Sequence, residues 1–365
     1  MLYIPIEKLN AGMKLDADAT VFDGSKAFLL KKGTVLTQKT IEGLYRFGLE
    51  GVYIHDKFTE DIKPSVPILD SKRKQKTLKN LEWIFEHVKK QSKSRAVQHL
   101  KHIDQTVQEL IAVIQKEKGR LINIADLKAY DDYTYHHSLS VAILSIAIGS
   151  SLGLSHDELR KLGFAAIMHD IGKMEIPIEI INKPGRLSHE EFEIIKRHAN
   201  YSKEYLIQNN VNDSDIYESV VCHHEKLNGE GYPYGLMENE IPYYSKIIAV
   251  ADVYDALTSL RSYRVPMVPL EVTERIMAGT GESFDIGVVQ AFINKVEFYP
   301  AGSFVELSNG QQAVIVGHAN QLRPIVRLLV KPYTTIDLFH DKLSYGLTIK
   351  RVYDKIPVDI KTLNF

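Results

Sequence analysis

The chain has 365 residues, 44% apolar and 25% charged, with a formal net charge of -1; this length predicts two or three domains, and the composition excludes wholesale disorder. The near-neutral balance gives no global pull toward nucleic acid polymers or anionic lipid, although a local basic patch can still hold a phosphate. A single cysteine, Cys222, excludes an internal disulfide framework and fits a reducing compartment.

The first residues, MLYIPIEKLNAG, lack a basic start followed by an apolar run, so no signal peptide is expected. Residues 1–57 carry short β-type runs, AFLLKKGTVL and GVYIHD, around one helical piece at TQKTIEGLYRFG, and predict a small N-terminal α+β domain. Over 58–120 the composition shifts to Lys, Gln and Glu, with Leu78, Leu81, Ile84 and Val88 at helical spacing. The reading there is a charged linker followed by amphipathic helices, a solvated connector in preference to a dimerisation or signal-relay helix. A homodimer is left open.

From 121 to 297 the pattern is helical. VAILSIAIGSSLGL at 141–154 falls short of the ~20 apolar residues that span a bilayer and predicts a buried helix, so a soluble cytoplasmic protein without a membrane span is expected. Ser155 with Glu158, and Ser188 with Glu191, have the spacing of capping boxes that open helices. After Pro300 the period becomes two: SFVELSNGQQAVIVG holds two strands and PIVRLLV a third, predicting a small C-terminal antiparallel β-domain over 298–365. The expected fold class is therefore multidomain, a central all-α helical bundle flanked by a small α+β unit and a small β-domain.

Chemistry concentrates in the helical region. His169 and Asp170 follow Leu159, Leu162, Ala166 and Ile167 at core-facing steps; His137 heads a stripe through Val141, Leu144 and Ile148; His198 keeps company with Ile194, Ile195 and Tyr205. His223 and His224 close a short helix behind Val220 and Val221, and Asp252 follows Ile248 by four. An ionised carboxylate on a buried face must be paired or metal-bound, and Lys173 is the one cation spaced to neutralise the set. Imidazole and carboxylate without thiolate suit Fe, Mn, Zn or Ni. If His169 binds one ion, Asp170 has the oxygens to bridge to a second, and two ions ~3.5–4 Å apart form a clamp for phosphodiester chemistry, generating a hydroxide and stabilising the attacking and leaving oxygens.

The motifs HSLSVA, HDIGK, the His198 helix, HHEKLNGEGYP and ADVYDALTSLRSYR resemble, in order, those of the HD-GYP family, a branch of the HD metal-dependent phosphohydrolases. The resemblance covers residues 121–297. It implies a bacterial second-messenger hydrolase that opens cyclic di-GMP to linear pGpG, in some members on to GMP, by attack of a metal-bridging hydroxide. Carried over residue by residue, it implies two divalent ions, Fe or Mn. Asp170 bridges them, His137, His169 and Asp252 complete one, and His198, His223 and His224 hold the other. Lys173 then faces the scissile phosphate. Arg261 and Arg264 become candidates for phosphate or guanine contacts, and Tyr232 either packs under its loop or lines the guanine pocket. Glu225 is expected to orient a histidine, and Asp255, one turn from Asp252, to be a buried structural partner. Gly229, Gly231 and Pro233 let the chain leave the His223-His224 corner sharply.

Some positions depart from the family pattern: Asn228 stands at a supporting loop position where aspartate is usual, Leu260 replaces a common aspartate, and Ser202 a frequent glycine. Tyr133 occupies the place of a glutamate that in some members holds a third ion, which is why two ions are expected. The implied partners are cyclic di-GMP and diguanylate cyclase (GGDEF) proteins. The alternative to an enzyme is a non-catalytic module that binds the nucleotide or a cyclase.

Overall fold

A computed structural model describes residues 2–6, 9–16, 19–23, 26–46, 51–55, 61–62, 68–69, 71–88, 93–116, 121–122, 133–183, 185–259, 267 and 269–353. The chain divides into two compact units, one formed by Met1–Val66 together with Glu297–Phe365, the other by Pro67–Val296.

In the first unit, β1 (Leu2–Pro5) pairs with β4 (Gly51–Ile54), β2 (Ala19–Asp23) with β3 (Lys26–Leu30), and α1 (Gln38–Arg46) lies between β3 and β4 in the chain. The C-terminal stretch supplies β5 (Phe304–Leu307), β6 (Gln312–Gly317), β7 (Ile325–Leu328), β8 (Thr335–Asp337) and β9 (Ile349–Tyr353). These form an antiparallel sheet in the order β8-β7-β6-β5-β9, so the expected three strands gain one at each edge. The sequence separates the two ends of the chain into two small domains, but the structure gives them one core. Ile4, Leu15, Leu36 and Ile54 are buried in the same cluster as Ala301, Phe304 and Val314. Arg327 also donates to both carboxylate oxygens of Asp61, at 2.8 and 2.5 Å, the two-pronged geometry a guanidinium fork favours.

The second unit is helical: α2 (Ser71–Val88), α3 (Lys93–Lys116), α4 (Tyr133–Ser151), α5 (His156–Met168), a 3-10 turn at Ile171–Glu175, α6 (Ile178–Ile181), α7 (His189–Lys196), α8 (His198–Gln208), α9 (Ser214–Val221), α10 (Tyr243–Thr258), α11 (Pro269–Ala278) and α12 (Ile286–Lys295). Helix α4 is apolar around its circumference because it is buried around its circumference. Leu139, Val141, Ile143, Leu144, Ile146 and Ile148 have no exposed surface, and α5, α10, α12 and α3 all pack against it. Both capping boxes form as their spacing predicts. The solvated connector does not. Helices α2 and α3 pack on α4, and α3 also on α5, burying Leu81, Ile84, Phe85, Ile103, Val107 and Ile111. Among the described residues no helix is long and apolar enough to cross a membrane.

Candidate metal centre

The bundle brings together, on five helices or their ends, all seven residues that the sequence singles out as metal ligands. His137 comes from α4, His169 and Asp170 from the C-terminal end of α5, His198 from the start of α8, His223 and His224 from just beyond α9, and Asp252 from α10. One expectation changes on the way: Arg197 interrupts the helix that begins after Ser188, so His198 opens a separate helix.

Asp170 is the hub. Its Oδ2 lies 3.4 Å from His137 Nε2 and 3.3 Å from His169 Nε2, while its Oδ1 lies 3.4 Å from His198 Nε2. Two donor groups meet there, His137, His169 and Asp170 in one, Asp170, His198, His223 and His224 in the other, with the donor atoms of each group within 4.8 Å of one another. Asp252 joins from α10, its Oδ1 3.1 Å from His137 Nε2 and its Oδ2 3.9 Å from His224 Nδ1.

The imidazoles are aimed by backbone carbonyls three residues earlier. Nδ1–H of His169 donates to Ala166 O at 2.8 Å, that of His198 to Ile195 O at 2.7 Å, and that of His223 to Val220 O at 2.6 Å. A proton on Nδ1 leaves the Nε2 lone pair facing the cluster, the tautomer a metal needs. His137 is held differently, by the Asp255 carboxylate at 2.8 Å on its Nδ1. Ser259 Oγ in turn donates to Asp255 at 3.2 Å. Asp255 is therefore the carboxylate that orients a histidine, a duty the sequence assigns to Glu225.

These atoms fit a metal. The Nε2 atoms of His169, His198 and His223 and Oδ1 of Asp170 are buried without a hydrogen-bond partner, and a cluster of buried lone pairs with no donor is unfavourable unless a cation takes them. Burial lowers the basicity of the imidazoles, to a pKa of about 4 for His198, about 3 for His224 and well below the usual value for His223. All three are thus neutral near pH 7, the form in which an imidazole can serve a metal. Burial alone would raise the Asp170 carboxyl, but His169, Lys173 and His137 around it outweigh that and hold it well below the usual range.

The chain enters and leaves this corner by close contacts. A side chain on Gly172 would collide with the His198 carbonyl and would stand 2.5 Å from Ser202 N, so α8 can approach the turn after Asp170 only over a glycine. Ser202 completes the joint, its Oγ accepting from Gly172 N at 2.8 Å and donating to His169 O at 2.9 Å. Its hydroxyl gives a reason for serine where the family pattern favours glycine. Glu225, buried, accepts from Tyr234 N at 2.7 Å and Leu236 N at 3.0 Å, which ties the loop after Pro233 back to the histidine corner. A side chain on Gly231 would strike the Glu225 backbone, and Gly229 takes φ +77 in the same loop. Asn228 serves that loop too, its Oδ1 accepting from Glu230 N at 3.1 Å.

Among the described residues, the cluster is part-exposed along the edge that holds Lys173 and His224. Lys173 donates to Asp170 Oδ2 at 2.5 Å and is part-exposed, as is His224. Tyr232 stacks on the His224 ring at 4.6 Å, which packs it against this part-exposed edge. Arg261 and Arg264, with Leu260 and the side chain of Tyr133, lie outside the described residues.

A family model described as an HD domain matches residues 96–288. Over 215 residues the chain is 36% identical to a cyclic di-GMP phosphodiesterase, PA4108, from Pseudomonas aeruginosa, covering 59% of this chain and 52% of that protein. A cyclic di-GMP phosphodiesterase from Thermotoga maritima is 36% identical over 194 residues, 52% of this chain and 53% of the relative. The 3'3'-cGAMP-specific phosphodiesterase 1 of Vibrio cholerae is 40% identical over 152 residues, 42% and 35% of the two chains. This chain thus spans about half the length of the first two relatives. In fold, it is similar to the solved structure of Bd1817, an HDG"Y"P protein from Bdellovibrio bacteriovorus, with a TM-score of 0.50 at 19% identity over 80% of this chain and 97% of the other. With the ordered motifs, the buried histidine and aspartate cluster and the matched region, the chain belongs to the HD domain family, in its HD-GYP branch.

Proposed function

We propose that the chain is a metal-dependent phosphodiesterase that hydrolyses a cyclic dinucleotide, cyclic di-GMP, to linear pGpG. The observation that carries this reading is the pair of donor groups sharing Asp170, in which the Nε2 atoms of His169, His198 and His223 and Oδ1 of Asp170 are buried without a hydrogen-bond partner. His137, His169, Asp170 and Asp252 would hold one divalent ion; Asp170, His198, His223 and His224 would hold the other. Their nitrogen and oxygen chemistry suits Fe or Mn. Bound there, the ions supply Lewis acidity, lowering the pKa of water and polarising a phosphoryl oxygen.

The protein's own groups do the rest. The buried carboxylates balance positive charge at the centre, and the Nδ1 bonds to carbonyls and to Asp255 keep each imidazole in one orientation while charge moves. Lys173 stands at the part-exposed edge, where its ammonium meets an arriving phosphate and stabilises the charge of a phosphoryl transition state. Tyr232 borders the same edge and covers His224.

Two of the relatives above are named for cyclic di-GMP, which supports that substrate. A second reading, 3'3'-cGAMP, is favoured by the Vibrio relative. Protein purified without oxygen and supplied with Fe(II) or Mn(II), then incubated with each nucleotide in turn, tests the proposal by chromatography of the products. Linear pGpG from cyclic di-GMP at the higher rate is the expected result; turnover of cyclic GMP-AMP alone would replace the substrate, and no turnover of either would contradict the activity.

A further inference from the structure

Beside the part-exposed edge stands a feature that the proposed chemistry does not use. Phe192 and Lys196 are four residues apart on α7, so they share one helix face. Phe192 is 42% exposed. Its ring meets the Tyr232 ring edge-on at 6.2 Å, and Tyr232 in turn stacks on His224. Lys196 Nζ lies over both rings, 5.0 Å from the centre of Phe192 and 5.6 Å from that of Tyr232. The ammonium also pairs with Glu193 at 2.6 Å, on the surface, where such a pair contributes little and is easily exchanged.

We infer that Phe192 and Lys196 form a purine-recognition platform at the mouth of the centre, Phe192 stacking on the base and Lys196 selecting a keto purine. The inference rests on the cyclic-dinucleotide reading above. A single exposed phenylalanine needs no explanation in itself; this one continues a row of rings that leads from solvent to the metal ligands, with a cation above it. A nucleobase offers a flat π-face that stacks on such a ring without regard to sequence. An ammonium has three donors and no acceptor, so it binds the O6 and N7 acceptors of guanine and is repelled by the N6 amino group of adenine. The base-binding contact then lies on α7, separate from the helices that carry the ligands.

Steady-state kinetics of the full chain on cyclic di-GMP, cyclic di-AMP and the base-free diester bis(p-nitrophenyl) phosphate tests this. In Phe192→Ala, kcat/KM for cyclic di-GMP relative to the base-free diester should fall ~10-fold, through KM. Phe192→Tyr, which keeps the ring, should restore it. In Lys196→Met, preference for cyclic di-GMP over cyclic di-AMP should shrink ~10-fold. Equal losses on all three substrates would make the pair structural and overturn the platform, as would unchanged ratios. Wild-type protein that cleaves only the base-free diester would defeat the cyclic-dinucleotide reading itself, which distinguishes that failure from a failure of the platform alone.

Discussion

Asp170 is the residue on which both donor groups depend, and Asp255 the residue that fixes His137. Asp170→Ala should therefore abolish metal binding at both positions, read as metal per chain after desalting. Asp255→Asn should bind metal ~10–100-fold more weakly while staying folded, read by competition with a chelator. The buried histidines also set a pH dependence for the metal-free protein. Their folded pKa values lie below the ordinary value of 6.5, at about 4 for His198 and about 3 for His224, so the unfolded chain binds more protons in between. Stability from these groups is complete above pH ~6.5 and declines as pH falls toward ~4. Below that, the carboxylates of Asp170 and Asp252, held well below 3.8, lose their contribution in the same direction. Urea midpoints after EDTA treatment should fall from pH 7 to pH 4; a midpoint that rises on acidification would contradict the buried neutral imidazoles. The core-facing placement of the seven proposed ligands was legible in the sequence because each sits on an apolar stripe or at a helix end, while their grouping as ligands came from the resemblance. The role of Asp255 was less so, since its partner His137 is 118 positions away and only the approach of α4 to α10 joins them.

At the scale of elements, the site is a set of helices and helix ends held at fixed separations by their packing and by loops and turns. The joint between the turn after Asp170 and α8 tolerates no side chain at position 172. Gly172→Ala should push α8 outward and cost ~1–3 kcal/mol, the range for forcing atoms into a packed site, read by urea unfolding of metal-free protein, with weaker metal binding besides. The Glu225 clamp makes a different prediction. Glu225→Ala strands the amides of Tyr234 and Leu236 inside the loop, and losing a buried carboxylate acceptor should cost ~2 kcal/mol. Unchanged stability would mean the loop is held by other contacts. The sequence pattern reached these elements unevenly. Capping boxes and apolar periodicity predict α5 and α7, whereas the break at Arg197 leaves no mark in periodicity, because Ile194, Ile195 and His198 keep helical spacing across it.

At the scale of the molecule, residues 250 or more positions apart share one core, Ile4 and Ile54 with Phe304 and Val314. No local pattern announces such a contact, since each strand reads the same whichever partner covers it. The amphipathic helices α2 and α3 form as expected but are packed where the sequence suggests a solvated connector, for a related reason: a stripe of Leu81, Ile84, Ile103 and Val107 tells that something covers it but not what. The shared cluster around Asp170 is proposed to hold about two metal ions for hydrolysis of a cyclic dinucleotide. The most direct measurement takes one anaerobic preparation of the full chain and determines metal per chain and products from cyclic di-GMP side by side, with Asp170→Ala in parallel. About two ions and linear pGpG are expected for the wild type, and neither for the variant. A wild-type centre filled with metal that leaves every cyclic dinucleotide intact, or a variant that still cleaves, would contradict that proposal.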